Sequence, residues 1–480
     1  MQTKVKFELT NNYTYIAGEV PQEVHNLCTI PYDYWTQDFY TKQKVMKTRQ
    51  LKYLYFISKF SISYFPTGWF NKIYQLYIDL DYEVEIIDNT TSHDTSSLAL
   101  SLITPPLRNY QLDIVTNAIK AKRGILVAPP GSGKTLIYTY LLSYYGLKSL
   151  IIVPSINLLN QVYLDLDKAL PGLIGKIGDS EWSPNLITVA TIQTLWSRLN
   201  QEDSQEFFNS ILVLMIEEGH HVKNAGYNPR NTYFQIVMTI NAPYRFGITA
   251  TPGKEGSLER ELLEAATGSL IGGIGASTLV EQGYLIRPKI KMHIIPIHNI
   301  GYDWYSAYER NIVGNTYRNA LICKLAKEFA AEGKSVLISC NWVEKHGKIL
   351  CNLLGEGTSM FGETSSNDRK NILESFESKD CKIIVSTIMN EGVNIPSMDV
   401  IILASAGKSQ KQMVQRIGRV MRPSKGKDTA IVIDFYDRDR GILEKHSKQR
   451  LNLYQSEEAY DIELIQSPKE EANFAEFKFI

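Results

Sequence analysis

The chain has 480 residues, 44% of them hydrophobic and 21% charged, with 51 basic side chains balanced by 51 acidic ones. That length exceeds one ordinary core, so two or three domains are expected. No apolar run reaches the ~18 residues that span a bilayer, MQTKVKFELT lacks the apolar core of a secretory signal, and Cys28, Cys323, Cys340, Cys351 and Cys381 form no Cys-x-x-Cys pair. Membrane-spanning, secreted and cysteine-zinc proteins are thereby disfavoured, and a cytoplasmic protein with buried, reduced thiols is expected.

The neutral total conceals local asymmetry. From Lys42 to Lys72 there are seven Lys or Arg and no acid, the same holds from Lys408 to Lys427, and the chain after Gln455 is acidic. Residues 1–95 read as a small α+β domain opening with two alternating strands around Asn11 and Asn12. Its basic stretch interleaves with Tyr53, Tyr55, Phe56, Phe60, Tyr64, Phe65, Trp69 and Phe70. Lysines neutralise phosphates and aromatic rings stack on bases, so this mixture suits nucleic acid, although most of these rings are expected to fill a core. Residues 88–104, DNTTSHDTSSLALSLIT, read as a linker.

From Pro105 apolar runs alternate with helical segments. Strands are expected at 124–127, 149–153, 186–190, 211–216 and 245–249, then at 335–339, 382–387, 400–404 and 429–434, which implies two parallel sheets of α/β class. GILVAPPGSGKT (124–135) joins a strand to a helix through a glycine-rich loop. Gly131, Ser132 and Gly133 would turn backbone N–H groups toward an anion, Lys134 would reach the β- and γ-phosphates, and Thr135 would hold Mg2+. Only the first set carries such a loop, so ATP is expected between the two sheets.

The run ILVLMI ends at Glu217, Glu218, Gly219 and His220. A carboxylate pair at the tip of a buried strand is costly unless a cation meets it; one would hold the metal and the other polarise the attacking water. GITATP (247–252) ends another strand with two hydroxyls suited to bonding those carboxylates. QRIGRVMR (415–422) spaces Arg416, Arg419 and Arg422 at three, placing them on one helical face where a γ-phosphate or a nucleic-acid backbone would offset their repulsion.

Together, APPGSGKT, EEGH, GITATP and QRIGRVMR resemble the ordered motifs of superfamily 2 helicases, over residues 107–454. LRNYQLDIV, with Arg108 and Gln111, looks like the adenine-side motif. The resemblance implies two tandem RecA-like domains at 105–284 and 285–455, an accessory DNA-contact domain at 1–95 and an acidic tail at 456–480. It implies a strand backbone along Pro154, Ser155, Thr191, Thr387 and Asn390, and a ribose near Gly392. It also implies that Lys134, Glu217, Glu218, Gln415, Arg419 and Arg422 carry hydrolysis, with ATP and Mg2+ as cofactors. Family members carry Asp where this chain has Glu217, one methylene longer, so the metal would be held differently. LVEQGYLIRPKI and the compact layout are similar to phage branch-migration helicases of the UvsW type. A monomeric, host-cytoplasmic motor on forked or branched DNA is the resulting expectation; an RNA helicase, or a nucleic-acid clamp that binds ATP with little turnover, remains open.

Overall fold

The computed structural model describes residues 3–37, 44–95, 97–98, 105–223, 232–296, 303–355, 357–387, 398–407, 410–424, 426–439 and 441–466. Asn390, Gly392 and the end of the acidic segment lie outside these residues. Two compact units emerge, Met1–Ala128 with Gly133–Ile274, and Gly275–Ile480 with Pro129–Ser132. The main division thus falls ten residues before the sequence-based boundary at 284. No helix among the described residues is long and apolar enough to cross a membrane.

The first unit begins with β1 (Lys4–Leu9), β2 (Tyr13–Ala17), α1 (Gln22–Leu27), β3 (Thr29–Gln37), β4 (Lys44–Lys52), β5 (Tyr55–Ile57), β6 (Ile62–Pro66), α2 (Phe70–Asp79) and β7 (Glu83–Asp88). Five strands form a sheet in the order β5-β6-β2-β1-β7, while β3 and β4 pair only with each other. Alternation in β1 places Val5, Phe7 and Leu9 inward, the period-2 signature of a half-buried strand. Of the eight rings in the basic stretch, Phe65 and Trp69 are fully buried, whereas Phe56 and Phe60 are 65% and 62% exposed.

A parallel sheet follows, built from α3 (Asn109–Ala121), β8 (Arg123–Val127), α4 (Lys134–Tyr145), β9 (Ser149–Val153), α5 (Ile156–Ala169), β10 (Ile174–Gly178), β11 (Glu181–Ser183) and β12 (Ile187–Thr191). It continues through α6 (Ile192–Ser197), α7 (Glu202–Ser210), β13 (Val213–Glu217), α8 (Thr232–Thr239), β14 (Tyr244–Thr249), α9 (Leu258–Thr267) and β15 (Leu270–Gly273). The strand order is β11-β10-β12-β9-β13-β14-β8-β15, parallel except for the β10–β11 pair. SLIIV and VLMIE are buried along their whole length, as strands covered on both faces require.

The small sheet shares its core with this domain, which the reading of a separate accessory domain did not foresee. Trp69 donates from Nε1 to the Glu261 carbonyl at 3.1 Å, and Lys72 ion-pairs with Glu261 and Glu264. A Cβ at Gly68 would lie 1.9 Å from the Glu264 carbonyl oxygen, so α9 can approach only a glycine there. Arg245 on β14 is fully buried and donates to the Ala266, Ile240 and Val237 carbonyls and to Asn12 Oδ1, all within 2.7–2.8 Å. Asn12 in turn donates to the Met238 carbonyl at 2.9 Å. Burial lowers the Arg245 guanidinium to about 9, which leaves it charged at neutral pH. The expected linker is also held: Tyr244 Oη donates to the His93 carbonyl at 3.2 Å, and Leu98 N–H donates to the Ser143 carbonyl at 2.7 Å.

The second unit contains α10 (Ala276–Glu281), β16 (Pro288–Pro296), α11 (Trp304–Tyr308), α12 (Thr316–Ala331), β17 (Val336–Ser339), α13 (Lys348–Leu354), β18 (Thr358–Met360) and α14 (Ser366–Glu377). It ends with β19 (Ile383–Ser386), β20 (Val400–Leu403), α15 (Gln410–Val420), β21 (Ala430–Arg438), α16 (Ile442–Gln455) and β22 (Asp461–Gln466). The parallel order is β18-β19-β17-β20-β21-β16-β22. Three of these strands, β16, β18 and β22, were not expected, and the acidic segment begins as the edge strand β22 rather than as a wholly solvated tail.

Beneath β21, Arg318 pairs with Asp437 at 3.0 Å and Arg450 with Asp434 at 2.9 Å, with Tyr454 Oη donating to Asp434 at 2.8 Å. Such buried pairs are stable only because hydrogen bonds replace the lost water. His346 is also buried, with Nε2 3.1 Å from Asn319 Oδ1. Burial, assisted by Arg318, holds its imidazole down to about 3. The folded state therefore resists a proton that the unfolded chain accepts below about 6.5. This contribution is complete above that pH and is lost as pH falls toward about 3. From linkage, about 2 kcal/mol disappears between pH 7.5 and 5. Denaturant melts at those two pH values are expected to show that loss in the parent and a smaller one in His346→Gln; equal losses would remove His346 as the cause.

Candidate functional site

Parallel pairing brings the motifs of the first unit to one sheet edge. Thr249 registers with Val127, Glu217 with Ile248, and Thr191 with Val153, so the phosphate loop, the acidic pair, GITATP and the Pro154–Ser155 turn all leave the sheet at the carboxyl ends of its strands. Ligands of open α/β sheets bind at that edge.

After β8, Ser132 N–H donates to the Pro129 carbonyl at 3.1 Å and its hydroxyl donates to the same oxygen at 2.7 Å, closing the turn. Gly131 and Gly133 have φ of +86° and +74°, which only glycine adopts without cost. A Cβ at Gly133 would fall 2.5 Å from Gln111 Nε2, so the amide of the adenine-side motif lies directly over the loop. Gln111 Oε1 accepts the Arg108 N–H at 2.9 Å, closing the N-terminus of α3, while the Arg108 side chain is exposed. Lys134 and Thr135 open α4, whose first-turn N–H groups no carbonyl of the same helix can reach.

Lys134 Nζ lies 3.2 Å from Glu218 Oε1 and 3.9 Å from Glu217 Oε1. Both carboxylates are buried. Glu218 has φ of +51°, a conformation costly for a residue with a Cβ and typical of functional sites. His220 Nδ1 lies 3.3 Å from Glu218 Oε2 and 3.2 Å from Thr249 Oγ1, and Thr249 Oγ1 accepts the Thr251 N–H at 3.2 Å. A polar chain therefore runs from the lysine through Glu218 and His220 into GITATP. The sequence reading included His220 in its motif but gave it no role; its place directly after the acidic pair was the available signal.

The donor set fits magnesium on a nucleotide. A hydroxyl from Thr135 and carboxylate oxygens from Glu217 are hard ligands, and magnesium completes its shell with water and phosphate rather than with an all-protein cage.

Of the residues expected along a strand, Ser155 N-caps α5 by accepting the Leu158 N–H at 3.3 Å, and the Pro154 carbonyl accepts from Gln193 Nε2 at 3.0 Å. Thr191 is buried, with its hydroxyl 2.9 Å from Thr194 Oγ1, so its side chain faces inward. In the second unit Thr387 follows β19 and is half-buried.

The arginine motif departs from the single face expected of it. Helix α15 ends at Val420, so Arg422 lies beyond it, and Arg416 is buried with Nη1 3.2 Å from Ser405 Oγ. Lys427 donates to the Val420 and Arg422 carbonyls and so closes the C-terminal end of that helix. Arg419 is buried to nearly the same degree as Arg416, and Gln415 and Arg422 are half-buried.

A phosphate loop at the carboxyl edge of a parallel sheet, with a buried lysine–carboxylate cluster beside it, defines a P-loop nucleotide-hydrolysing protein with a second parallel sheet. Residues 104–254 match the family described as type III restriction enzyme, res subunit, and residues 318–424 match the helicase conserved C-terminal domain. The chain belongs to the superfamily 2 helicases, ATP-dependent enzymes. It is 27% identical over 396 residues to the DNA 3'-5' translocase XPB2 of Sulfurisphaera tokodaii, covering 74% of this chain and 86% of that one. It is 25% identical over 355 residues to the ATP-dependent DNA helicase uvsW of phage T4, covering 68% of each. Against Rad25 of Haloarcula marismortui it is 26% identical and spans only 51% of that protein. The ATP-dependent type ISP restriction-modification enzyme LlaBIII shares the fold over 83% of this chain and 36% of its own, with a TM-score of 0.58 at 16% identity.

Proposed function

We propose that this protein is an ATP-driven DNA helicase or translocase that acts on forked and branched DNA. The observation that carries the reading is the common sheet edge, where the Lys134–Glu218 cluster and the Pro154–Ser155 turn stand side by side. A change at the nucleotide is thereby adjacent to a surface suited to a strand backbone. The names of the archaeal and phage relatives, a DNA translocase and a DNA helicase, favour DNA.

In this mechanism Lys134 and the loop amides hold the β- and γ-phosphates, with Arg108 and Gln111 toward the adenine and Gly392 toward the ribose. Thr135 and Glu217 hold magnesium, which when bound neutralises charge on the phosphate oxygens. Glu218 accepts the proton of the attacking water, and His220 orients that carboxylate. Arg419 and Arg422 stabilise charge on the γ-phosphate, with Gln415 positioning the water or phosphate. Pro154, Ser155, Thr387 and Asn390 track one strand, mostly through its phosphates, Thr191 supports that surface through its hydroxyl contact with Thr194, and alternating grip moves the motor.

Steady-state ATPase with saturating forked DNA, linear duplex, single-stranded DNA and RNA tests the reading. The greatest stimulation is expected with forks; stimulation by RNA alone would make this an RNA helicase.

A further inference from the structure

The β3–β4 ribbon stands apart from every other sheet among the described residues. Its base is fixed: Ile30 is buried in the shared core, and the Cys28 carbonyl accepts the Tyr53 N–H at 2.9 Å. Beyond that base the two strands pair without interruption from Thr29↔Lys52 to Gln37↔Lys44. Nine residues at a rise of about 3.4 Å give a ribbon roughly 30 Å long.

The charge on it is one-sided in sign. The two strands carry Lys44, Lys47, Arg49 and Lys52 and a single acid, Asp33, which already accepts from Thr48 Oγ1 at 2.5 Å. Register places Tyr32 opposite Arg49 and Tyr34 opposite Lys47. Because alternate residues and directly opposed residues share a face, Lys47 and Arg49 stand on one side of the ribbon together with Tyr32. Lys47, Arg49 and Lys52 are exposed, whereas Tyr32 is half-buried.

We propose that the Lys47–Arg49 face of this ribbon enters the major groove of a duplex DNA arm, with both cations on phosphates. That groove, about 12 Å wide, admits a two-stranded β-ribbon, whereas the major groove of duplex RNA is too narrow. The proposal rests on the DNA-motor reading and assigns the duplex contact to one element of the N-terminal region. Removing residues 1–95 is unsuited as a test, because Asn12 and Trp69 complete the first unit.

The full-length chain carrying Lys47→Gln and Arg49→Gln is compared with the parent by fluorescence anisotropy on linear duplex DNA, single-stranded DNA and duplex RNA over a salt series. Loss of two phosphate contacts is expected to reduce the duplex-DNA slope of log K against log salt by about 2. Binding to single-stranded DNA and duplex RNA, and the melting temperature, are expected to stay unchanged. Arg49→Glu should weaken duplex-DNA binding further than Arg49→Gln, an order that a folding defect would not produce. An unchanged duplex slope would overturn the proposal and leave Lys47 and Arg49 as edge-strand protection against aggregation; equal losses on all three polymers would also overturn it. ATPase that no nucleic acid stimulates, with no binding by the parent, would instead sink the motor reading.

Discussion

Glu218→Gln is expected to lower kcat for ATP by about 10²- to 10⁴-fold, the range of a lost general base, while leaving ATP affinity nearly intact. Glu218 is buried, has φ of +51°, and is held between Lys134 Nζ at 3.2 Å and His220 Nδ1 at 3.3 Å. The amide keeps the size and an acceptor oxygen for the lysine but cannot take a proton from water. Neither the loop glycines nor Lys134 is altered, so triphosphate binding should persist. Single-turnover hydrolysis and titration with a fluorescent ATP analogue separate the two effects. Hydrolysis at the parental rate would reassign the base, and Glu217 would be next to test.

Arg419→Ala is expected to reduce kcat by about 10³-fold or more, the usual effect of an arginine that stabilises the transferring phosphoryl group, with a much smaller change in ATP affinity. Arg416→Ala should act differently. Its guanidinium is buried, pressed below its ordinary pKa by that burial, and 3.2 Å from Ser405 Oγ, so its loss leaves a cavity and an altered polar site inside the second unit. A lower denaturation midpoint is the expected signature there. If Arg419→Ala hydrolyses ATP normally, the proposed role of Arg419 at the γ-phosphate is wrong.

The two arginines illustrate why the site was only partly legible. A spacing of three suggested one shared face, but it could not say that α15 stops at Val420 or that Arg416 turns into the protein. In the acidic pair the reverse held: an apolar run broken by two carboxylates marked its own cost, because buried charge requires a counter-charge wherever the fold places it. His220 joined that pair to Thr249 only through β14 lying beside β13, a long-range pairing that no local pattern encodes.

By itself the amino-acid sequence determined the phosphate loop, the nine principal parallel strands and the motif order, because glycine conformations, continuous apolar runs and isolated charges act over a few residues. Only the tertiary structure decided that the small N-terminal sheet shares a core with the first parallel sheet, through Trp69, Arg245 and a glycine at 68 that lets α9 approach. It likewise decided that Asp461–Gln466 becomes an edge strand and that β3 and β4 form a ribbon of their own. These features depend on which distant surfaces meet, and the free energy of such meetings is set by packing and by hydrogen-bond partners far apart in the chain.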